Sequence, residues 1–203
     1  MKKVLLTAIA VFVFGFSNAQ EEESNGFSKG NVMLSGGFGI VSQSQDEEKF
    51  TGLYIRPKAG YFVSNNIVVG LSLGLSNTKE ENGALNPIVK RSQTSIGAFG
   101  RYYFTPANKF SFFGELDFNV LSSKTTFINP LPTSSIETKA NGFNVGLSPG
   151  VSYFISKNFA LETSIGLLGY QTEKQDVPGA KSLSSVNFGV DISSITLGLV
   201  YKF

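Results

Sequence analysis

The sequence predicts an all-β fold, an eight-stranded antiparallel up-and-down transmembrane β-barrel. Three observations carry this prediction: eight segments have apolar side chains at every second position, the connections between them alternate between short and long, and the N-terminus has the pattern of an export signal. A period of two is typical of strands with one apolar and one polar face. The length of 203 residues suits one domain, and the net charge of +2 gives no indication of a nucleic-acid partner.

The N-terminus predicts a signal peptide over residues 1–19. Lys2 and Lys3 precede an apolar run over residues 4–16, and Ser17-Asn18-Ala19 supplies the small residues of a cleavage site. The run has roughly a dozen residues, whereas a membrane-spanning helix needs about 20. We therefore expect cleavage after Ala19, a flexible periplasmic lead-in over residues 20–28, and a barrel over residues 29–203.

The first three predicted strands each carry an apolar face. These faces comprise Val32, Leu34, Phe38 and Ile40 in the first strand, Leu53, Ile55, Pro57, Ala59, Tyr61 and Val63 in the second, and Ile67, Val69, Leu71, Leu73 and Leu75 in the third. Glycine and serine dominate the opposite faces. Ser64-Asn65-Asn66 predicts a tight hairpin turn between the second and third strands.

The remaining five strands follow the same rule. Their apolar faces comprise Ile96, Ala98, Tyr102 and Phe104, then Phe110, Phe112, Leu116, Phe118 and Val120, then Phe143, Val145, Leu147, Val151 and Tyr153, then Phe159, Leu161, Ile165 and Leu167, and finally Ile195, Leu197, Leu199, Tyr201 and Phe203. The start of the last strand, with Phe188, Val190 and Ile192, has the opposite parity. We therefore expect a bulge near Ser193-Ser194.

The connections alternate in length along the chain. Those after the second, fourth and sixth strands are tight, whereas those over residues 42–49, 77–91, 124–139 and 171–184 are long and polar. Outer-membrane barrels have short periplasmic turns and longer extracellular loops. With an even number of strands, both termini are predicted to be periplasmic.

The two faces favour a membrane barrel over a soluble one. A soluble barrel puts its large apolar residues inside, whereas here the apolar face is aliphatic at mid-strand and aromatic near the short turns, which indicates lipid contact and an interfacial girdle. The girdle residues are Tyr61, Tyr102, Phe104, Phe110, Phe112, Tyr153, Phe159 and Tyr201.

If the apolar faces meet lipid, the charged residues that share the strands point into the lumen. They are Arg56, Lys58, Arg101 and Lys202 against Glu115, Asp117 and Glu162. Charges in a narrow interior persist when they are paired, and the hairpin register places Arg101 near Glu115. Two interpretations stay open: a salt-bridged plug that closes the barrel, or a gate in which Arg101 exchanges carboxylate partners.

The C-terminus resembles the assembly signal of outer-membrane barrels, with Ile195, Leu197, Leu199, Tyr201 and the terminal Phe203 at alternate positions. From Lys29 to Phe203 the chain resembles the small OmpA/OmpX-type outer-membrane β-barrel domain family. The resemblance implies an outer-membrane location, contact with membrane lipid and lipopolysaccharide, and recognition by the barrel-assembly machinery. Because the sequence ends at Phe203, we expect no peptidoglycan-binding domain after the barrel and therefore no wall anchoring.

The sequence gives little indication of chemistry. It contains no histidine and no cysteine, and the serines lack a nucleophile-elbow context, so no enzymatic activity, cofactor or metal site is predicted. We expect a closed structural scaffold whose external loops serve envelope integrity or bind an unidentified surface ligand. The alternative is a small or gated channel. A lateral opening for apolar molecules, at strand positions such as Pro57 and Pro149, is a third possibility.

Overall fold

The computed structural model describes residues 26–83, 86–130, 134–190 and 196–203. The regular elements of these residues are ten strands: β1 Val32–Gln45, β2 Glu48–Phe62, β3 Ile67–Asn82, β4 Ile88–Tyr103, β5 Phe110–Asn129, β6 Ser134–Phe154, β7 Phe159–Ser164, β8 Leu168–Gln175, β9 Leu183–Phe188 and β10 Thr196–Lys202. The described part of the chain has no helix that is long and apolar enough to cross a membrane.

Eight of the strands close an antiparallel barrel. Strands β1 to β6 pair in sequence order, β6 pairs with β7, β7 with β10, and β10 returns to β1. Short connections over residues 63–66, 104–109 and 155–158 lie at one end, which we call the short-turn end. The opposite end, where paired strands extend as long hairpins, is the hairpin end. The predicted eight-stranded barrel is confirmed.

The predicted seventh strand is divided into β7 and β8 by a change of register. Gly150 of β6 pairs with Ser164 of β7, but Leu147 of β6 pairs with Leu168 of β8. The segment that runs from β7 into β8 therefore has one residue more than β6 between these two pairs. One extra residue is a β-bulge, and it reverses the side-chain alternation beyond it. The outward position is therefore Leu168, which is exposed, and the prediction of one uninterrupted outward row through Leu167 was wrong.

The predicted last strand corresponds to β9 and β10. Strand β10 pairs with β1 only from Met33 to Gly37, and β9 pairs with β8. Among the described residues, no pairing joins β9 to the remaining part of β1. The barrel is thus closed by strand pairing at the short-turn end. The bulge expected near Ser193-Ser194 lies outside the described residues, as do the predicted signal peptide and residues 20–25 of the lead-in.

Three of the four connections predicted as long loops, over residues 42–49, 77–91 and 124–139, are mostly strand, and the fourth, over residues 171–184, is half strand. Strand β1 continues to Gln45 and β2 begins at Glu48, so only a tight turn separates them, with Asp46 in the left-handed region at a φ of 50°. Strands β3 to β6 extend in the same way. Polar residues pair across these hairpins because backbone hydrogen bonding does not require an apolar face. The hairpin end therefore projects paired strands instead of irregular loops.

The predicted distribution of faces agrees with the structure. Leu71, Ile96 and Leu116 are more than half exposed on the outside of the sheet, as expected for side chains that meet lipid. The core lies inside the barrel at the short-turn end, where ten side chains form one cluster: Phe27, Met33, Phe62, Val68, Phe99, Tyr103, Phe113, Phe154, Ala160 and Val200.

Candidate functional site in the lumen

An arginine between two carboxylates lies at the centre of the lumen. Arg101 on β4 lies directly opposite Glu115 on β5, because the short connection fixes the register of this hairpin. Arg101 Nε and Nη2 donate to Glu115 Oε2 at 3.0 and 2.7 Å. Arg101 Nη1 donates to Oε1 of Glu162, across the barrel on β7, at 2.6 Å. The three side chains are buried, with relative exposures of 4%, 5% and 9%.

Further hydrogen bonds satisfy this cluster. The Tyr103 hydroxyl accepts from Arg101 Nη1 at 2.6 Å and donates to Glu162 Oε1 at 2.9 Å. Ser152 Oγ donates to the same carboxylate oxygen at 2.6 Å, and Lys58 Nζ forms an ion pair with Glu115. Burial of charges costs less when each has an opposite charge and hydrogen bonds. We call Lys58, Arg101, Tyr103, Glu115, Ser152 and Glu162 the charge cluster.

Aromatic rings surround the Arg101 guanidinium. Its Cζ lies 3.9 Å from the ring centroid of Phe113, 5.5 Å from that of Tyr103 and 5.9 Å from that of Phe99. A cation over an aromatic face is attracted to the ring quadrupole, most strongly where water is excluded. The rings therefore hold the guanidinium as well as displacing water from around it.

Below the charge cluster, Phe27 fills the short-turn end. Its ring is 1% exposed and lies 4.6 to 4.8 Å, centroid to centroid, from the rings of Phe62, Tyr103 and Phe154. The Phe27 amide donates to the Pro106 carbonyl oxygen at 2.7 Å. We call these four rings the aromatic plug. Residues 26–28 were predicted to belong to a flexible lead-in, but Phe27 packs inside the barrel because its ring completes the core.

Above the charge cluster, the lumen widens into a polar chamber of about 510 Å³. Its walls carry mainly glycine, serine and amide side chains, such as Ser35, Ser72 and Asn144. Asp117 accepts from Asn119 Nδ2 at 2.6 Å. Arg56 lies here with its Cζ 6.0 Å from the Tyr54 ring centroid, and no ion pair joins it to a carboxylate within the described residues. Small inward side chains leave this half of the lumen unfilled.

The seven predicted lumen charges thus separate into three groups. The structure brings Lys58, Arg101, Glu115 and Glu162 together, whereas Arg56 and Asp117 line the chamber. Lys202 lies elsewhere: its Nζ donates to the Gly26 carbonyl oxygen at 2.6 Å and lies 5.4 Å from the Phe154 ring centroid. It faces inward as predicted but holds the N-terminal segment in place.

Five inward aromatic residues were not among the predicted lumen residues. Phe62, Phe99, Tyr103, Phe113 and Phe154 occupy positions of the lumen-facing parity, so the alternation itself would have identified them. Phe27 precedes the first strand, so alternation could not identify it. The one indication in the sequence is that it is an aromatic residue in a polar stretch. Of the predicted assembly-signal residues, Leu197, Leu199, Tyr201 and Phe203 lie in or directly after β10, and Ile195 lies outside the described residues.

A second cavity of about 570 Å³ lies between the hairpins at the hairpin end. It is lined by Phe127, Val177 and Leu183 together with Arg91, whose Nη2 donates to both carboxylate oxygens of Glu173 at 2.9 Å. In the described part of the chain, no group of three or more acidic side chains is arranged to hold a metal ion.

Comparisons with known proteins agree with this architecture. None of the curated proteins compared with the chain matches it. The outer membrane protein OprG from Pseudomonas aeruginosa is similar in structure, with a TM-score of 0.54 and 16% sequence identity over 89% of this chain and 99% of OprG. A major outer membrane protein from Thermus thermophilus has a TM-score of 0.50 and 12% identity, over 85% and 99% of the two chains.

These similarities to solved structures concern the fold. The family model for the outer membrane protein β-barrel domain matches residues 6–203, nearly the whole chain. A closed antiparallel sheet and an exposed apolar exterior are the features that such a domain requires. The chain belongs to the outer membrane protein β-barrel domain family.

Proposed function

We propose that this outer-membrane protein is a closed structural scaffold that presents its hairpins outside the cell, for envelope integrity or surface interaction. In this arrangement the short-turn end faces the periplasm and the hairpin end faces the exterior. The observation that carries the proposal is the filled lumen of the short-turn half. The aromatic plug and the charge cluster lie one above the other across that half.

Closure of the lumen follows from the energetics of both layers. A hydrated ion would have to displace rings that are 0–1% exposed and then separate Arg101 from two carboxylates. Leaving a buried charge without its partner costs about 3–5 kcal/mol. A barrel of eight strands encloses just enough space for side chains to fill. We therefore expect no steady ion path through the resting protein.

Planar-bilayer conductance of the refolded full chain tests this proposal. We expect a silent bilayer for the wild type, with insertion established separately by heat-modifiable electrophoretic mobility of the same sample. Arg101→Ala and Phe27→Ala each remove one layer, and the double variant removes both. The double variant is expected to give openings that neither single variant gives. Steady openings by the wild type would contradict the scaffold proposal.

The alternative function is a small or gated channel. The polar chamber supports it, since its Gly- and Ser-rich walls and its charged Arg56 and Asp117 suit a hydrated solute. In this alternative, Arg101 exchanges between Glu115 and Glu162, and the plug moves aside. Wild-type openings whose conductance changes in Arg101→Ala would favour the channel.

The partners follow from the scaffold proposal. The hairpins would meet a surface ligand of unidentified chemistry, for which the cavity beside the Arg91–Glu173 ion pair is the best-formed concave site. The alternating residues Leu197, Leu199, Tyr201 and Phe203 would be recognised by the barrel-assembly machinery. The absence of histidine and cysteine from the sequence supports a non-enzymatic role.

A further inference from the structure

Six lysines near the hairpin end face outward, on the same side of the sheet as the lipid-facing residues. Side chains alternate along a strand, and residues in register on neighbouring strands share a face. The registers of β2 to β6 and of β8 run without a break from the apolar rows to these lysines. We call them the lysine belt: Lys49, Lys79, Lys90, Lys124, Lys139 and Lys174.

The lysine belt has a constant position relative to the apolar surface. Five of the six lysines lie four residues from the nearest large apolar residue of their outward row on the short-turn side, and one polar outward residue intervenes. The lysines and these apolar residues are Lys49 with Leu53, Lys79 with Leu75, Lys124 with Val120, Lys139 with Phe143, and Lys174 with Tyr170. The intervening residues are Thr51, Asn77, Ser122, Asn141 and Thr172.

This spacing corresponds to the polar layer of a membrane. Four residues span about 13 Å of strand, or roughly 10 Å along the membrane normal for a strand tilted by about 40°. The headgroup layer is roughly 5–8 Å thick on each side of the hydrocarbon. A lysine at this height reaches the headgroups because its stem lies along the surface towards the bilayer.

Two pairs of lysines in the belt lie directly opposite each other. Lys79 is in register with Lys90, and Lys124 is in register with Lys139. Like charges at such positions destabilise a sheet, so the arrangement requires negative charge from elsewhere.

The protein supplies only part of that negative charge. Glu81 forms an ion pair with Lys79, and Glu137 with Lys124. Asp176 is adjacent, since its amide donates to the Lys139 carbonyl oxygen at 2.8 Å. Glu47, whose carboxylate lies beside Gly83 at the turn between β1 and β2, is a fourth acid at this end. Six lysines against these four acids leave an excess of two positive charges in the belt.

We propose that the lysine belt binds the phosphate groups of phosphorylated lipid in the outer leaflet of the outer membrane. A phosphate between two lysines of opposing strands would neutralise both, while the acyl chains of the same lipid cover the apolar row below. This role rests on the proposed orientation, in which the hairpin end faces the exterior, and it is independent of whether the lumen conducts. The proposed ligand is a phosphate carried by a lipid. The belt lies directly above apolar surface, which acyl chains can cover and from which free phosphate would gain nothing.

The test compares two variants of the refolded full chain with the same change in charge. The belt variant replaces Lys49, Lys90, Lys139 and Lys174, the lysines outside the two ion pairs, with glutamine. The control variant makes the same replacement at Lys29, Lys109, Lys157 and Lys181, which lie on turns and a connection outside the belt. Both are purified in zwitterionic detergent, and folding is verified by heat-modifiable mobility.

The probes are bis-phosphorylated lipid A, the same lipid with both phosphates removed, and inorganic phosphate, with retention measured by native mass spectrometry. We expect the belt variant to bind bis-phosphorylated lipid A at least tenfold more weakly than wild type, since each lysine near an anionic surface contributes about 1 kcal/mol. The control variant should stay within about threefold. Added salt should weaken wild-type binding because exposed charges are screened.

Three results would overturn the proposal: equal binding by the belt variant and wild type, equal binding of the dephosphorylated lipid, or displacement of the lipid by inorganic phosphate at millimolar concentration. Replacement of the same four lysines with arginine keeps the charge and should retain binding. If the glutamine variant fails to fold, the pair Lys90→Glu and Lys139→Glu supplies the comparison, and undiminished binding by that pair would equally contradict the proposal.

Discussion

The two halves of the barrel lumen differ although six strands, β1 to β6, run through both. In the short-turn half, inward positions carry Phe, Tyr, Arg and Glu, and they form a packed and hydrogen-bonded interior. In the hairpin half, inward positions carry Gly, Ser and Asn and leave a chamber of about 510 Å³. Backbone pairing therefore shapes the barrel, whereas the size and charge of the inward side chains decide whether a given level is filled.

The strand pairing follows the same division. At the short-turn end every barrel strand has two neighbours, but β9 at the hairpin end has only β8 among the described residues. The residues of β9 are exposed, including Leu183, Val186 and Phe188. Stability should thus be concentrated in the short-turn half. Matched substitutions at equivalent lumen positions in the two halves test this comparison.

The largest difference in unfolding free energy is expected between the variants Arg101→Ala and Arg56→Ala. Arg101→Ala leaves Glu115 and Glu162 buried without their arginine, which costs about 3–5 kcal/mol of unfolding free energy. Arg56 is exposed to the chamber and has no ion pair in the described structure, so its replacement should change stability by less than about 0.5 kcal/mol. Urea unfolding in lipid vesicles, followed by circular dichroism, measures both. Equal losses of unfolding free energy for the two variants would contradict the concentration of stability in the short-turn half.

The next largest difference in unfolding free energy is expected between substitutions of two inward glycines, Gly150 and Gly169. A Cβ on Gly150 would overlap the Phe113 ring and lie 2.6 Å from the Thr163 carbonyl oxygen, whereas a Cβ on Gly169 would have no neighbour within 4 Å. Overpacking a filled core costs about 1–3 kcal/mol. Gly150→Ala should therefore lower the unfolding free energy by that amount and Gly169→Ala should not. A destabilised Gly169→Ala would mean that the chamber wall is as tightly packed as the core.

Removal of the Tyr103 hydroxyl should lower the unfolding free energy less than the Arg101 and Gly150 substitutions do. Tyr103→Phe removes hydrogen bonds to Arg101 and Glu162, but these two groups still contact each other. We expect a loss of about 1–2 kcal/mol for the two hydrogen bonds, because each usually contributes roughly 0.5–1.5 kcal/mol net. Tyr54→Phe is the control, since Tyr54 lines the chamber and its hydroxyl has no hydrogen bond within the described residues. The urea midpoints of the two variants, compared with wild type, distinguish the outcomes.

The smallest effect is expected outside the lumen, on the extended hairpin of β5 and β6. A hydrogen bond from Lys124 lowers the pKa of Glu137 below its ordinary value of 4.5. A lowered pKa means that this ion pair stabilises the fold above 4.5 and ceases to do so as the pH falls through the folded-state pKa. Because both side chains are exposed, solvent screens the pair. Glu137→Gln should leave the thermal midpoint unchanged at neutral pH, and a clear decrease would show that this hairpin carries stability.

The fold could be predicted in detail because its determinants are local. Alternation identified the outward faces, and the short connection over residues 104–109 fixed the register that places Arg101 opposite Glu115. The bulge in the seventh strand could not be predicted, because Leu167 and Leu168 are both apolar and either residue suits the lipid-facing row. The strand extensions at the hairpin end were missed because polar residues at both faces give no periodic signal.

Apart from the register change before Leu168, the sequence by itself determined which side chains face lipid and which face the lumen, since the strand period depends only on backbone geometry. It also determined the pairs that adjacent strands bring together. Only the tertiary structure decided the contacts across the lumen, where Glu162 of β7 meets Arg101 of β4 and Phe27 enters from outside the strands. The physical reason is that such contacts depend on how the closed sheet staggers its strands and on which side chains fill the remaining space, and neither follows from the pattern of one segment.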